Sequence, residues 1–503
     1  MELTQERAPE ETITDPGPGG NAPPPPPPPD SLEEAGLTEE FVAGLVVKAL
    51  HHRGAAVGFE LSDMLALPFS VLDEVIQQLQ ERRFLEVHST KGPRRGEYVF
   101  RLTSAGRKRA TEELEMCRYV GPAPVPFEEF RRWVEIQTIE RARITERELR
   151  NALDDVVLRE SMLELLGPAI NSGRSLFLYG ESGNGKTLLA ERIARAFGER
   201  YYVPHSVLVG SSVMIVHDPV HHGPGAGVAD GVERSRPQTE PPSGAGPDSR
   251  QDPGPETEAG PSNDLPEEAS PAFEAGAMLR EIVRSIPEHD RRYVEATRPV
   301  VVTGGELTLE QLDLQWDPTG RMYQAPPQLK AAGGVLVVDD LGRQRVPVRD
   351  LLNRWVVPLE HRRDYLTLRS GRKIVVPFDC FVIFSTNLDP RSLADEAFLR
   401  RIHYKIEVLD PGREEYESIF RSCCEERGIP FEEEALGYLF DTYYGDGHVQ
   451  PRGCHPRDVL NHLRDLAEYR GQPARLRPDL LEQACRSYFL PSARAGASGL
   501  LTE

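Results

Sequence analysis

The sequence predicts an α/β fold in which a parallel sheet lies between helices, preceded by a smaller α+β unit, followed by a helical one, and interrupted by stretches with no folding pattern. Three observations predict it. An apolar run, Leu176 to Tyr179, passes into a glycine-rich loop and then directly into an amphipathic helix. Two more apolar runs, Val335–Val338 and Phe381–Thr386, end in polar side chains at Asp339 and Asn387 and read as buried strands of one sheet. After Asp410-Pro411-Gly412 the strand-like runs stop and helical spacing continues to about Tyr488.

The length of 503 residues exceeds a typical domain about threefold, so two or three folded units are expected. Its 44 prolines are roughly 9% of the chain against a usual ~5%, so part of the length is spacer. The net charge of −21 is uneven. Residues 1–35 carry eight acids and one base, and residues 219–290 carry fourteen acids and five bases, which together account for −16. The remaining chain is near neutral, and the global charge says little about what its surfaces bind. No apolar run approaches the ~18 residues needed to cross a bilayer, and the first residues lack a signal-peptide pattern. Six irregularly spaced cysteines, with Cys423 and Cys424 adjacent, suit neither a disulfide framework nor a zinc ribbon, so no membrane insertion and a cytoplasmic location are expected.

In chain order, residues 1–35 read as a disordered acidic tail ending in Pro23–Pro29, a stiff polyproline II spacer or, alternatively, a ligand for a proline-reading domain. Residues 36–117 show three apolar helical patterns (Phe41 to Leu50, Leu61 to Leu67, Val71 to Arg82) and then two strand-like runs around a Lys91-Gly92-Pro93-Arg94-Arg95-Gly96 turn. Three helices and a hairpin make a winged helix, and the closing segment Leu102 to Ala110 resembles the last helix of many such domains. From Arg82 to Arg109 nine basic residues face two acids, which suits phosphate tracking, whereas Asp73 and Glu74 on the third helix oppose it. DNA contact and protein docking both remain open. Residues 219–290 read as a mostly disordered insertion, with Ala275, Leu279, Ile282, Val283 and Ile286 at helical spacing near its end.

The loop Gly180-Glu181-Ser182-Gly183-Asn184-Gly185-Lys186-Thr187 is G-x-x-x-x-G-K-[ST] in the strand–loop–helix setting that it requires. Glycines let backbone N–H groups curl around phosphates, and the following helix adds its positive dipole end. Lys186 is expected on the β- and γ-phosphates of ATP, and Thr187 on Mg²⁺. Asp339 is the expected second Mg²⁺ partner. Asp340 is expected to polarise the attacking water with a shorter reach than a Glu.

Downstream the sequence resembles an AAA+ ATPase over roughly residues 125–490, outside the insertion. The resemblance implies a P-loop AAA+ core at 125–410 and a helical lid at 411–490; residues 491–503, beyond it, are expected to be a disordered tail. The resemblance makes Asn387 the sensor 1 residue that orients water, Arg400 or Arg401 a finger acting on a neighbour, and Arg457 in His455-Pro456-Arg457-Asp458 a lid contact to the nucleotide. It implies a homo-oligomeric ring, a hexamer, acting on a protein partner. A hairpin around Ser370-Gly371 resembles the pre-sensor-1 insertion of the MoxR-containing clade, where it would project into a pore; GAFTGA is absent. The stretch from Pro299 to Gln328 is expected to be a second substrate-facing loop.

Overall fold

A computed structural model of the chain describes residues 23–198, 200–223, 289–393, 395–445 and 449–489. The helical spacing at 275–286 and the terminal stretches 1–22 and 490–503 lie outside the described residues.

Seventeen strands are described: β1 Ala55–Val57, β2 Leu85–Thr90, β3 Tyr98–Leu102, β4 Val125–Pro126, β5 Leu176–Tyr179, β6 Tyr201–Pro204, β7 Ser206–Val209, β8 Ser212–Ile215, β9 Tyr293–Ala296, β10 Val300–Thr303, β11 Gln315–Asp317, β12 Met322–Gln324, β13 Val335–Val338, β14 Arg363–Thr367, β15 Lys373–Pro377, β16 Phe381–Thr386 and β17 Tyr404–Glu407. The central sheet is β10-β13-β16-β5-β17, parallel throughout. Helices cover both its faces, so its inner strands are continuous apolar runs: every residue of β13 and β16 is buried. On one face Phe384 packs against Phe177 in a tilted contact and against Trp355 edge-on, with centroids 5.9 and 5.5 Å apart, tying β5 and β16 to the helix Val348–His361. Each such buried ring contributes about 1.5–3 kcal/mol.

A second sheet, β11-β12-β8-β7-β4, was not anticipated. Its strands alternate. Val207, Val209 and Met214 join one core with the inner residues Leu366, Ile374 and Val376 of the β14–β15 hairpin. Leu208, Val213 and Ile215, pointing the other way, join the core of the N-terminal unit. The sheet is thereby a layer between the two. This corrects the expectation for Pro299–Gln328: that stretch supplies the edge strand β10 and the β11–β12 hairpin. It also corrects the expected free projection of the Ser370-Gly371 hairpin, because one of its faces is packed. Tyr365 and Val375, paired across the other face, are exposed.

The N-terminal unit has helices Glu39–Arg53, Gly58–Leu65 and Phe69–Glu81, a β1-β3-β2 sheet and a closing helix Ser104–Met116. Its core is continuous with the second sheet, and backbone bonds from Arg118 to Gly320 (2.9 Å) and Ala123 to Leu65 (2.7 Å) reinforce the junction.

The proline run is docked rather than free, which corrects its reading as a spacer. Pro23, Pro26 and Pro29 are buried while the residues between them are not. This is the three-residue period of polyproline II. The Pro26 carbonyl accepts from Asp290 N–H at 2.7 Å, and Arg292 donates to the Ala35 carbonyl at 2.8 Å. Asp290 and Arg292, each 1% exposed, pair at 2.7 Å, so the end of the expected insertion is built into the fold. Gly223 at its start accepts from Thr297 N–H at 3.1 Å. The helices Arg413–Arg427, Glu433–Leu439, His455–Tyr469 and Pro478–Tyr488 form the C-terminal unit around their own core.

Candidate functional site

The glycine-rich loop joins β5 to the helix Lys186–Ala196 at the C-terminal edge of the central sheet. Its turns need positive φ at Gly180 (136°), Gly183 (91°) and Gly185 (76°). A Cβ at Gly180 would lie 2.3 Å from the Val408 carbonyl oxygen, so the loop is also sterically locked to the chain leaving β17. The amide N–H groups of residues 181–188 donate to no other described residue. They line a helix N-terminus with its positive dipole end, which is the donor set an oxyanion such as phosphate requires. Lys186 is mostly buried and its ammonium donates to the Gly180 and Glu181 carbonyls, both at 2.9 Å. Burial pushes its pKa below the usual lysine range, an effect opposed by Asp339, Asp340 and Glu181 and assisted by Arg452.

Thr187 Oγ1 donates to Asp339 Oδ2 at 2.7 Å. A hydroxyl and a carboxylate brought together beside these amides are hard oxygen donors, so they fit Mg²⁺. Asp340 is exposed with φ at 50°. Asp tolerates the left-handed region better than Glu because its short carboxylate can bond locally, which gives a backbone reason for the shorter acid here. Gln344 braces that turn by donating to the Asp339 and Asp340 carbonyls at 3.0 and 3.2 Å. Asn387 follows β16, the strand between β13 and β5, and is half-buried. The topology thus brings residues 180–187, Asp339, Asp340 and Asn387 to one edge of the sheet.

The arginines lie elsewhere. Arg400 pairs with Glu396 at 2.6 Å and Arg401 with Glu360 at 2.5 Å. Both line a separate cleft of about 690 Å³ together with Arg174, Arg362 and His403. Arg457, expected at the nucleotide, instead donates to Asp458 at 2.9 Å and is 60% exposed. The C-terminal unit reaches the loop through Arg452: its guanidinium donates to the Ser182 carbonyl at 2.8 Å and pairs with Glu181 at 3.1 Å. Next to it Gly453 N–H donates to Asn184 Oδ1 at 3.2 Å, and Asn184 Nδ2 donates to Asp410 at 2.7 Å. Sequence reasoning missed Arg452, which belongs to no motif; its only signal was proximity to the His455 segment.

A mainly apolar cleft of about 280 Å³ opens beside the loop, lined by Val157, Leu158, Met162, Val408, Ile419 and Asn184. It also escaped the sequence reading, because its residues come from four separate segments. Arg159 closes its rim, bidentate to Glu415 at 2.5 and 2.9 Å and donating to the Asp410 carbonyl at 2.8 Å. That contact holds the Glu415 carboxyl below the usual carboxylate range.

A five-stranded parallel sheet, a glycine loop with free amides, a lysine inside it and a Thr–Asp pair beside it define a P-loop α/β nucleotide-binding fold. In sequence, residues 412–487 match a family model described as a domain of unknown function (DUF8689), which coincides with the C-terminal helical unit. No curated protein matches the chain. Among solved structures, NtrX from Brucella abortus aligns over 67% of this chain and 57% of its own, at 14% identity and a TM-score of 0.35. The Holliday junction branch migration motor RuvB of Thermotoga maritima aligns over 68% and 73% respectively, at 14% identity and 0.33. Domain III of the Thermotoga maritima replication initiation protein DnaA aligns over 68% and 98%, at 14% and 0.31. The chain thus spans just over half the length of NtrX. Likenesses this distant carry no argument about activity. Among the described residues no helix is long and apolar enough to cross a membrane.

Proposed function

We propose that the chain is a cytoplasmic AAA+ ATPase, MoxR-like in clade, that couples ATP binding and hydrolysis to remodelling or assembly of a protein partner. The observation that carries this reading is the Lys186 loop with its free amides beside the Thr187–Asp339 pair. The apolar cleft takes the base. Lys186 and the amides take the phosphates, and Thr187 and Asp339 hold Mg²⁺, which neutralises charge on the phosphate oxygens when bound. Asp340 accepts a proton from the attacking water, and Asn387 orients that water. Arg452 takes the place expected of Arg457 as the lid contact at the nucleotide loop.

Arg400 or Arg401, on the cleft away from the loop, serves a neighbouring subunit's nucleotide, so the active form is a ring, a hexamer, closed by repeating one heterologous interface. Steady-state hydrolysis measured against protein concentration, with mass determined in parallel, tests this. Turnover is expected to rise on assembly. Asp340→Asn keeps ATP binding and lowers hydrolysis about 100-fold or more, within the range for loss of a general base. Arg401→Ala is expected to leave binding intact and abolish the rise on assembly. Turnover independent of assembly and of Arg401 would refute the ring mechanism.

The N-terminal unit is a winged helix serving as a recruiting module for protein. Four of the nine basic side chains between Arg82 and Arg109 are paired with carboxylates: Arg82 with Glu40, Arg95 with Asp73, Arg101 with Glu86 and Arg109 with Glu113. A second reading, a DNA-binding regulator switched by ATP, draws on Arg83, Lys91, Arg94 and Lys108, which are exposed and unpaired among the described residues. Duplex binding by the full chain that weakens steeply with salt would favour the second reading, since phosphate contacts release counterions. The full chain is needed because the unit shares its core with the second sheet.

A further inference from the structure

The helix Glu433–Leu439 runs into a π-helical turn, Phe440–Tyr444, a backbone form that recurs at functional sites. That turn brings Tyr444 into a buried chain of hydrogen bonds. The hydroxyls of Tyr416 and Tyr444 are 2.9 Å apart, Tyr444 lies 3.0 Å from His455 Nδ1, and the backbone N–H of Arg452 points to the same nitrogen at 3.3 Å. The direction of every bond follows from one of them. A backbone N–H can only donate, so Nδ1 accepts and the imidazole carries its proton on Nε2. Tyr444 must then donate to Nδ1, and its oxygen accepts from Tyr416. His455 is 6% exposed and its ring lies parallel to Tyr444 at 5.8 Å. Burial first, and the charge of Arg452 second, push its pKa down to about 4, so the accepting nitrogen persists at neutral pH.

The chain ends at the nucleotide loop. Arg452 holds Ser182 and Glu181, Gly453 holds Asn184, and Cys454 Sγ packs so closely on Gly183 that a Cβ there would lie 2.5 Å away. A half-exposed guanidinium on a freely moving backbone contributes little, because ordering a long side chain costs about as much as its contacts return. Arg452 escapes that balance only if its backbone is already fixed.

We propose that Tyr444 and His455 are positioning residues that fix Arg452 against the phosphate loop and thereby set the rate at which bound nucleotide leaves. The inference rests on the nucleotide-binding reading of that loop. With Nδ1 occupied by both donors, the clamp closes over the loop without any contact from the Arg457 side. Release then requires the Arg452–Ser182 bond to break.

The test is stopped-flow release of mant-ADP from the full-length chain, chased with excess ADP, with melting temperatures measured in parallel. Tyr444→Phe, which keeps the ring, is expected to speed release about fivefold, the worth of one neutral hydrogen bond. Arg452→Ala speeds release at least as much, and the Tyr444→Phe/Arg452→Ala double variant is no faster than Arg452→Ala alone, because Tyr444 acts through Arg452. His455→Asn, whose side-chain oxygen takes the place of Nδ1, keeps most of the slow release that His455→Leu loses. A full Tyr444→Phe effect in the Arg452→Ala background, or unchanged release in Tyr444→Phe, overturns the positioning role while leaving the nucleotide site intact. Failure of the wild-type chain to bind mant-ADP overturns the nucleotide site and this inference together.

Discussion

Lys186→Ala is expected to lower nucleotide affinity about 10- to 150-fold, the loss of one charged hydrogen bond, and to reduce ATP hydrolysis to background. The ammonium is held by two neutral carbonyls at 2.9 Å and by carboxylates at longer range. Its lowered pKa means that those partners do not fully replace the water it has lost. A polyphosphate delivers negative charge to that point, so bound nucleotide raises the lysine pKa again and the charge contributes to affinity. Truncation removes this term but also removes a partly desolvated cation, so the fold is expected to survive with a melting temperature within a few degrees of wild type. Isothermal titration with ATP and with ADP, followed by a hydrolysis assay, measures both effects. Unchanged affinity for both nucleotides would contradict the assignment of this loop.

Arg292→Ala is the substitution expected to harm stability most. The guanidinium is bidentate to Asp290, Nε to Oδ1 at 3.1 Å and Nη2 to Oδ2 at 2.7 Å, bonds the Ala35 carbonyl and lies 3.8 Å from Glu129. Removing it leaves a carboxylate of 1% exposure unpaired, which costs about 3–5 kcal/mol. At about 2–4 °C per kcal/mol for a unit of this size, the melting temperature should fall by about 10 °C. The Asp290→Leu/Arg292→Met double variant is expected to recover much of that loss, since it leaves no isolated charge buried. The Ala35 carbonyl loses its donor in both variants, so proteolysis should release the proline-rich segment faster in each. A melting temperature for Arg292→Ala within 2 °C of wild type would show that the pair does not hold this corner of the fold.

Much of the candidate site was legible because it is local in the chain. The loop 180–187 carries its strand, turn and helix within about twenty residues, and Asp339 and Asn387 stand at the ends of apolar runs too short and too uniform to be anything but buried strands. The first three N-terminal helices and the hairpin were readable for the same reason, and their observed bounds lie within about three residues of expectation, whereas the closing helix runs about six residues past Ala110. The second sheet was not readable. Its strands hold two to four residues each and come from positions as far apart as Val125 and Tyr323, and a two-residue alternation over so short a span cannot be told from chance.

What the sequence determined by itself was therefore the chemistry of the loop and the order of the units, because glycine placement, the Lys186-Thr187 pair and apolar runs act over a few residues. Only the tertiary structure decided where those units touch. Whether Arg452 or Arg457 meets the loop depends on how the first turn of the helix His455–Tyr469 is rotated, and that rotation is set by packing around His455, Tyr444 and Tyr488. Likewise Pro23–Pro29 encodes a polyproline II helix whatever surrounds it, but its docking required Asp290, more than 250 residues away, to present an N–H to Pro26. Long-range pairings of this kind leave no local periodicity, because each partner needs only a single donor or acceptor from the other.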